Sequence, residues 1–76
     1  MDSPLRQNLA RNLRALRQNR QLSQDDLADR CGLHRTYIGG IERCERNITL
    51  GTLEKIARAL EIEPITLLRA DEANGT

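Results

Sequence analysis

Two short polar segments of this chain carry side chains suited to binding an anion or the edge of a nucleotide base. Ser23 and Gln24 stand at the predicted start of one helix, where free backbone amides attract a phosphate. Arg35 and Thr36 stand at the predicted start of the next helix. Arginine donates paired hydrogen bonds to phosphate or guanine, and threonine contacts a thymine methyl or forms a hydrogen bond. These residue types favour duplex recognition, although solvated helix ends are the simpler alternative.

The cationic side chains are concentrated in the first part of the chain. Residues 1–46 hold nine arginines and six acidic residues, a net charge of +3, whereas residues 47–76 carry −2. Eleven of the twelve cations are arginine, the side chain best suited to bidentate recognition of phosphate and guanine. This charge distribution is equally compatible with DNA binding and with a solvated surface. A single aromatic residue argues against stacking platforms for single-stranded nucleic acid.

Enzymatic and metal chemistry have little support in the sequence. The chain has one histidine and neither a glycine-rich phosphate loop nor a nucleophile–base pair, and Asp25 and Asp26 would point to different faces of a helix. The spacing of Cys31, His34 and Cys44 is C-x2-H-x9-C, which matches no common zinc site. We therefore expect no enzymatic activity, no metal and no cofactor, and two free thiols.

Length and hydropathy favour one small intracellular domain. Seventy-six residues bury only about 60% of the unfolded surface, so the core is marginal without a partner subunit. The N-terminus has no signal-peptide pattern, and no apolar run approaches the 18 residues of a membrane span. We expect a cytoplasmic protein in which residues 1–76 form a single domain.

Helical periodicity dominates the sequence, which predicts an all-α fold. Leucines at positions 5, 9, 13 and 16 form the apolar stripe of the first helix. Ser23 is a good N-cap, with Asp26 as an imperfect capping-box partner; Gly32 suits a left-handed C-cap, and Thr49 can cap a later helix. The five predicted helices span about 5–19, 24–31, 35–43, 50–60 and 64–70.

The second and third predicted helices, with the tight turn between them, have the organisation of a helix-turn-helix at about 23–43. In such a motif the second helix lies in the major groove and its N-terminal side chains contact base edges. Ile38 and Ile41 would face inward, whereas Gly39 and Gly40 would lie on the outer side with Arg43. Two glycines there would let the helix sit deep in the groove and leave fewer base contacts.

More than half of the chain resembles a known family. The segment 16–60, LRQNRQLSQDDLADRCGLHRTYIGGIERCERNITLGTLEKIARAL, is similar to the Cro/repressor-type helix-turn-helix family, whose signatures include SQDDLA and IER. RTYIGGIER followed by ERNITL looks like the controller proteins of restriction–modification operons. Cys44 departs from the wider family, which often has glycine there. A positive φ at Cys44 would cost about 1 kcal/mol.

The resemblance implies a role for each matching residue. Gln24, beside Ser23, would contact phosphate, as would the residues after the third helix. An ion pair between Arg17 and Glu42 would join the first and third helices. The implied base or groove contacts are Arg35, Thr36 and Tyr37, and the further phosphate contacts are Arg43, Arg46 and Asn47.

The resemblance and the apolar C-terminal region together predict a homodimer, with a dimerisation region at about 50–70. Its interface would use Ile62, Ile65, Leu67 and Leu68. The predicted function is a regulator that binds a pseudo-palindromic double-stranded operator as one or two dimers. It would activate or repress its own gene and an endonuclease gene, with RNA polymerase as a further partner. The alternatives are a phage or plasmid repressor of another operon, and a protein-interaction module that does not bind DNA.

Overall fold

The computed structural model describes residues 3–70 and confirms the all-α fold. Four α-helices, α1 to α4, are followed by a short 3-10 helix, and the described residues include no strand. Their bounds are Pro4–Asn19 (α1), Gln24–Cys31 (α2), Arg35–Glu42 (α3), Leu50–Leu60 (α4) and Pro64–Leu67 (the 3-10 helix). The second and fourth helices have the predicted bounds. None of the described helices is long and apolar enough to cross a membrane.

The fifth helix is shorter than the predicted 64–70, because side chains of α1 bind its backbone carbonyls. The Asn12 side-chain amide donates to the carbonyl oxygens of Leu67 at 3.0 Å and Arg69 at 2.8 Å. The Asn8 amide donates to the Leu68 carbonyl at 3.0 Å. Carbonyls satisfied in this way do not need the hydrogen bonds of a continuing helix.

Helix caps set where α2 and α4 begin. The Asp26 amide donates to Ser23 Oγ at 2.9 Å, and Asp26 Oδ2 accepts from the Ser23 amide at 3.0 Å. The capping box is therefore complete, and the expectation that aspartate would make it imperfect is wrong. Gly32 adopts a left-handed φ of 71° after α2. Thr49 Oγ1 accepts from the Thr52 amide at 3.1 Å, which confirms the predicted cap of α4.

One hydrophobic core joins all five helices. Leu9 and Leu13 of the predicted stripe are buried in it, Leu16 packs against it, and Leu5 is 57% exposed because it lies in the first turn of α1. Seven large side chains are fully buried: Leu13, Leu27, Ile38, Ile41, Ile56, Leu60 and Leu67. The first leucine of the predicted stripe thus lies beyond the edge of the core.

The burial of Leu67 corrects one part of the predicted dimer interface. Its side chain is fully buried in the core of its own subunit, so it is not available to a partner. Ile62 and Leu68 are partly buried against the same core, whereas Ile65 is 57% exposed. The 3-10 helix explains the difference, because packing against α1 and α4 turns Leu67 inward and Ile65 outward.

Both cysteines are free thiols. Cys31 is buried, and its burial raises the pKa of the thiol. Cys44 is half-buried and has the positive φ considered from the sequence, 63°. That backbone conformation disfavours any side chain with a Cβ.

Candidate nucleic-acid interface

The helix-turn-helix is formed by α2 and α3, joined by a two-residue turn and His34. Leu33 donates its amide to the Ala28 carbonyl at 2.9 Å, which closes the end of α2. His34 is the N-cap residue of α3 but makes no side-chain capping bond. Ile38 and Ile41 are buried at 0% and 1% exposure, so they anchor α3 to the core. The first turn of α3 consequently presents its opposite face to solvent.

Arg35 is the first residue of α3 and lies on this exposed face beside Thr36, which is also exposed. The Nε atom of Arg35 is 3.6 Å from Oδ1 of Asp25 in α2, and the two side chains are 67% and 70% exposed. Exposed pairs of this kind contribute about 0–1 kcal/mol. Asp25 therefore offsets the unfavourable position of a cation at a helix N-terminus without removing Arg35 from reach of a DNA acceptor.

Gln24 is the first residue of α2, and Glu42 at the end of α3 fixes the position of its side chain. Its Nε2 donates to Oε1 of Glu42 at 3.1 Å, and the side chain is half-buried. Ser23, one residue earlier, is exposed, with its Oγ occupied as an acceptor in the capping box. The backbone amides at the start of α2 that have no partner within the helix provide a place where a phosphate could bind.

Arg17 and Glu42 form an ion pair beside Gln24, and the side chains of both are largely buried. Arg17 donates to Glu42 through Nε at 2.7 Å and through Nη2 at 3.1 Å, and its Nη1 donates to the Leu22 carbonyl at 2.7 Å. The hydrogen bond with Glu42 raises the pKa of the Arg17 guanidinium. The pair therefore links α1, the segment before α2 and the end of α3.

Gly39 and Gly40 do not leave an open face on α3, contrary to the expectation from the sequence. Both are buried beneath arginine side chains that return from the C-terminal end of the helix. A Cβ on Gly39 would lie 3.0 Å from Nη1 of Arg43, and a Cβ on Gly40 would lie 2.9 Å from Cγ of Arg46. The missing side chains thus make room for two cations.

Three further predicted contact residues have partners within the chain: Tyr37, inside α3, and Arg43 and Arg46, which follow it. Arg43 pairs with Glu45, with Nε and Oε1 3.1 Å apart, and both side chains are more than half exposed. The guanidinium carbon of Arg46 lies 5.4 Å from the centre of the Tyr37 ring, a cation–π distance. The arrangement gathers cationic side chains along one surface of the helix-turn-helix.

Asn47 is held by a residue that the sequence analysis did not single out. Its Oδ1 accepts a hydrogen bond from Nη1 of Arg6 at 3.0 Å. Arg6 lies in the first turn of α1, 41 positions away, and no spacing rule connects the two residues. The same holds for Asp25, whose pairing with Arg35 depends on how α2 and α3 pack.

The described residues contain no cluster of three or more histidine, cysteine, aspartate or glutamate side chains that could hold a metal ion. The chemistry that the surface offers is hydrogen bonding and charge: guanidinium groups, amides and hydroxyls arranged around the N-termini of two helices. Phosphates and base edges are the ligands that such donors bind.

Comparison with known proteins agrees with this geometry. The sequence profile of the helix-turn-helix family matches residues 13–67. The chain is 53% identical over 60 residues to the control protein C.SmaI of Serratia marcescens, a match covering 79% of this chain and 71% of that one.

Two solved structures have the same fold. The restriction–modification controller protein C.AhdI from Aeromonas hydrophila superposes with a TM-score of 0.79 at 45% identity, covering 82% of this chain and 94% of that one. The controller protein C.Esp1396I, solved as a tetramer with its natural 35 base-pair operator, superposes with a TM-score of 0.80 at 36% identity, covering 87% of each chain. The chain therefore belongs to the helix-turn-helix family of DNA-binding transcriptional regulators and, within it, to the controller proteins of restriction–modification systems.

Proposed function

We propose that this protein binds a pseudo-palindromic operator and controls a restriction–modification operon, including its own gene and that of the endonuclease. The observation that carries the proposal is the exposed start of α3, where Arg35 and Thr36 project from a helix anchored by Ile38 and Ile41. The similarity to C.Esp1396I, solved on operator DNA, supports it.

In the proposed complex α3 lies in the major groove. Arg35 donates to guanine O6 and N7, Thr36 contacts a neighbouring base, and Tyr37 lies at the edge of the groove. Ser23 and Gln24 bind a phosphate at the start of α2. Beyond the end of α3, phosphates are bound by Arg43, Arg46 and Asn47. Arg17 and Glu42 do not touch DNA, but they hold Gln24 and the end of α3 in place.

The operator is bound by a homodimer that uses the surface of the 50–70 region. Ile65 is its most exposed predicted residue, with Ile62 and Leu68 beside the core; Leu67 is excluded by its burial. Leu50, at the start of α4, is 78% exposed and adds to the apolar surface. A two-fold dimer would place its two copies of α3 in successive major grooves, about 34 Å apart.

The proposed regulation depends on how many dimers occupy the operator. A first bound dimer activates transcription by contacting RNA polymerase, and a second dimer on the same operator represses it. This scheme rests on the similarity to controller proteins. In this scheme the protein acts in the cytoplasm and has no enzymatic activity. Residues 1–76 form one DNA-binding domain.

Selection of binding sites from a random duplex library tests the proposal. We expect a two-fold-symmetric site with half-sites one helical turn apart, bound far more tightly than the roughly 10⁻⁴–10⁻⁶ M of non-specific association. Arg35→Ala should abolish the preference at one base pair of each half-site. Arg14→Ala, which removes the same charge from the exposed side of α1, outside the 50–70 region, serves as the control. Enrichment of no site would refute the operator model and direct attention to a protein partner.

A further inference from the structure

An arginine of the first helix holds the side chain of Asn47, which lies in the segment between α3 and α4. Nη1 of Arg6 donates a hydrogen bond to Oδ1 of Asn47 at 3.0 Å. Arg6 is half-buried near the start of α1, and its Nε atom is buried. Asn47 itself is exposed. The contact therefore joins a guanidinium that is fixed by its surroundings to an amide that faces solvent.

The backbone around Asn47 is anchored on both sides. Glu45 donates its amide to a carbonyl of α3 at 2.9 Å, which ties the segment to the helix before it. Ile48 packs against the core, and Thr49 caps α4. Both neighbouring helices thus set the position of the Asn47 backbone, and the direction of its side-chain amide is the freedom that remains. The hydrogen bond from Arg6 removes that freedom.

The chemistry of this contact allows only one orientation of the amide. A guanidinium has five N–H donors and no acceptor, so it can bind the carbonyl oxygen of an asparagine but not its NH2 group. With Oδ1 of Asn47 on Arg6, the two hydrogens of Nδ2 are left for another acceptor. A phosphate oxygen only accepts hydrogen bonds, so it requires those hydrogens. The charge of Arg6 also polarises the amide, which strengthens the hydrogen bonds that Nδ2 donates.

We propose that Arg6 is a positioning residue for DNA binding, which fixes the Asn47 amide, before DNA is present, in the orientation that donates to a backbone phosphate. The inference rests on the proposed operator binding and on the phosphate contact of Asn47. An amide that is already oriented loses less conformational entropy when it binds, so the contact becomes tighter. Arg6 acts from α1 through Asn47 and does not touch DNA itself.

The order of the amide can be measured in the free protein. We expect the side-chain NH2 group of Asn47 to give the heteronuclear NOE of an ordered group in the unaltered protein and of a mobile group in Arg6→Met. Methionine keeps an unbranched stem but has no donor, so the variant should fold, which circular dichroism and urea unfolding verify. Arg6→Lys, which keeps a charged donor, should retain part of the order. Arg14→Met removes the same charge from the exposed side of α1 and should leave the amide ordered.

The second readout is the affinity of Arg6→Met, Asn47→Ala and the double variant for the selected operator. Asn47→Ala should weaken binding by about tenfold for each half-site, and Arg6→Met by about threefold. Because the arginine acts through the asparagine, the double variant should bind no more weakly than Asn47→Ala alone. The salt slope should change little in all three variants, since the group that binds the phosphate is a neutral amide.

Two results would overturn the inference while leaving the proposed function intact. The first is an Asn47 amide that is as mobile in the unaltered protein as in Arg6→Met. The second is a loss of affinity in Arg6→Met that persists in the Asn47→Ala background with a salt slope smaller by about one, the behaviour of an arginine that binds a phosphate itself. If the unaltered protein selects no operator, the proposed function itself fails, and this shows before any variant is compared.

Discussion

Arg17 and Glu42 bind each other through two hydrogen bonds, at 2.7 Å and 3.1 Å, with only 11% and 4% of their side chains exposed. Glu42 also accepts from Gln24, so a single carboxylate holds both the junction of α1 with α3 and the first residue of α2. The stability of the domain and the orientation of the first residue of α2 therefore depend on the same group.

Glu42→Ala should lower the free energy of unfolding by about 3–5 kcal/mol, because it leaves the Arg17 guanidinium without its counter-charge in a largely buried position. Urea denaturation at neutral pH measures the change. Glu45→Ala removes the carboxylate of the exposed pair with Arg43 and should cost about 1 kcal/mol or less. Equal losses in the two variants would show that the interior position of Glu42 has no energetic consequence.

The capping box of α2 should make part of the stability depend on pH. Hydrogen bonds from the Ser23 amide and hydroxyl lower the pKa of Asp26 below its ordinary value of 3.8. A pKa lowered in the folded state stabilises that state above the ordinary value, and the contribution is lost as the pH falls through the lowered one. The difference in urea midpoint between the unaltered protein and Asp26→Asn should thus be constant from pH 7 to about pH 5 and shrink at lower pH.

Asp29→Asn, an exposed change in the same helix, is the control for this experiment. It should not reproduce the pH-dependent difference, because Asp29 lies outside the capping box. A difference for Asp26→Asn that stays the same down to pH 2 would mean that the carboxylate is not held by Ser23.

Cys44→Gly should stabilise the domain by about 1 kcal/mol, because glycine adopts the φ of 63° without the steric cost that a Cβ imposes. For a domain of this size the melting temperature should rise by roughly 4–8 °C. Cys44→Ala separates the two contributions, since it removes the thiol but keeps the Cβ. A stabilisation by alanine equal to that by glycine would attribute the gain to the sulfur and not to the backbone.

Leu67 and Ile65, two residues apart in the 3-10 helix, should respond to substitution in different ways. Leu67→Ala empties a fully buried position and should cost about 2–5 kcal/mol of unfolding free energy. Ile65→Glu places a charge on a side chain that is 57% exposed, so it should leave the monomer folded and weaken dimerisation. Urea unfolding and sedimentation equilibrium of both variants measure the two effects. Dimers of unchanged affinity in Ile65→Glu would remove Ile65 from the interface.

The sequence by itself determined the helices and the family. Caps and apolar periodicity are local properties, so Ser23, Gly32 and Thr49 marked helix ends without reference to the rest of the chain, and α2 and α4 have the predicted bounds. The SQDDLA and RTYIGGIER segments indicate a helix-turn-helix controller, and they place Arg35 and Thr36 at the start of α3.

Only the tertiary structure decided what each side chain faces. Asn12 ends the 3-10 helix, and Arg6 holds Asn47, through contacts between segments far apart in the chain. Leu67 and Ile65 have similar hydropathy, yet one is buried and the other exposed, because the packing of a short 3-10 helix sets their directions. Gly40 owes its burial to Arg46, a side chain outside the helix. Local patterns specify where helices form, whereas the partners of a side chain depend on how those helices pack.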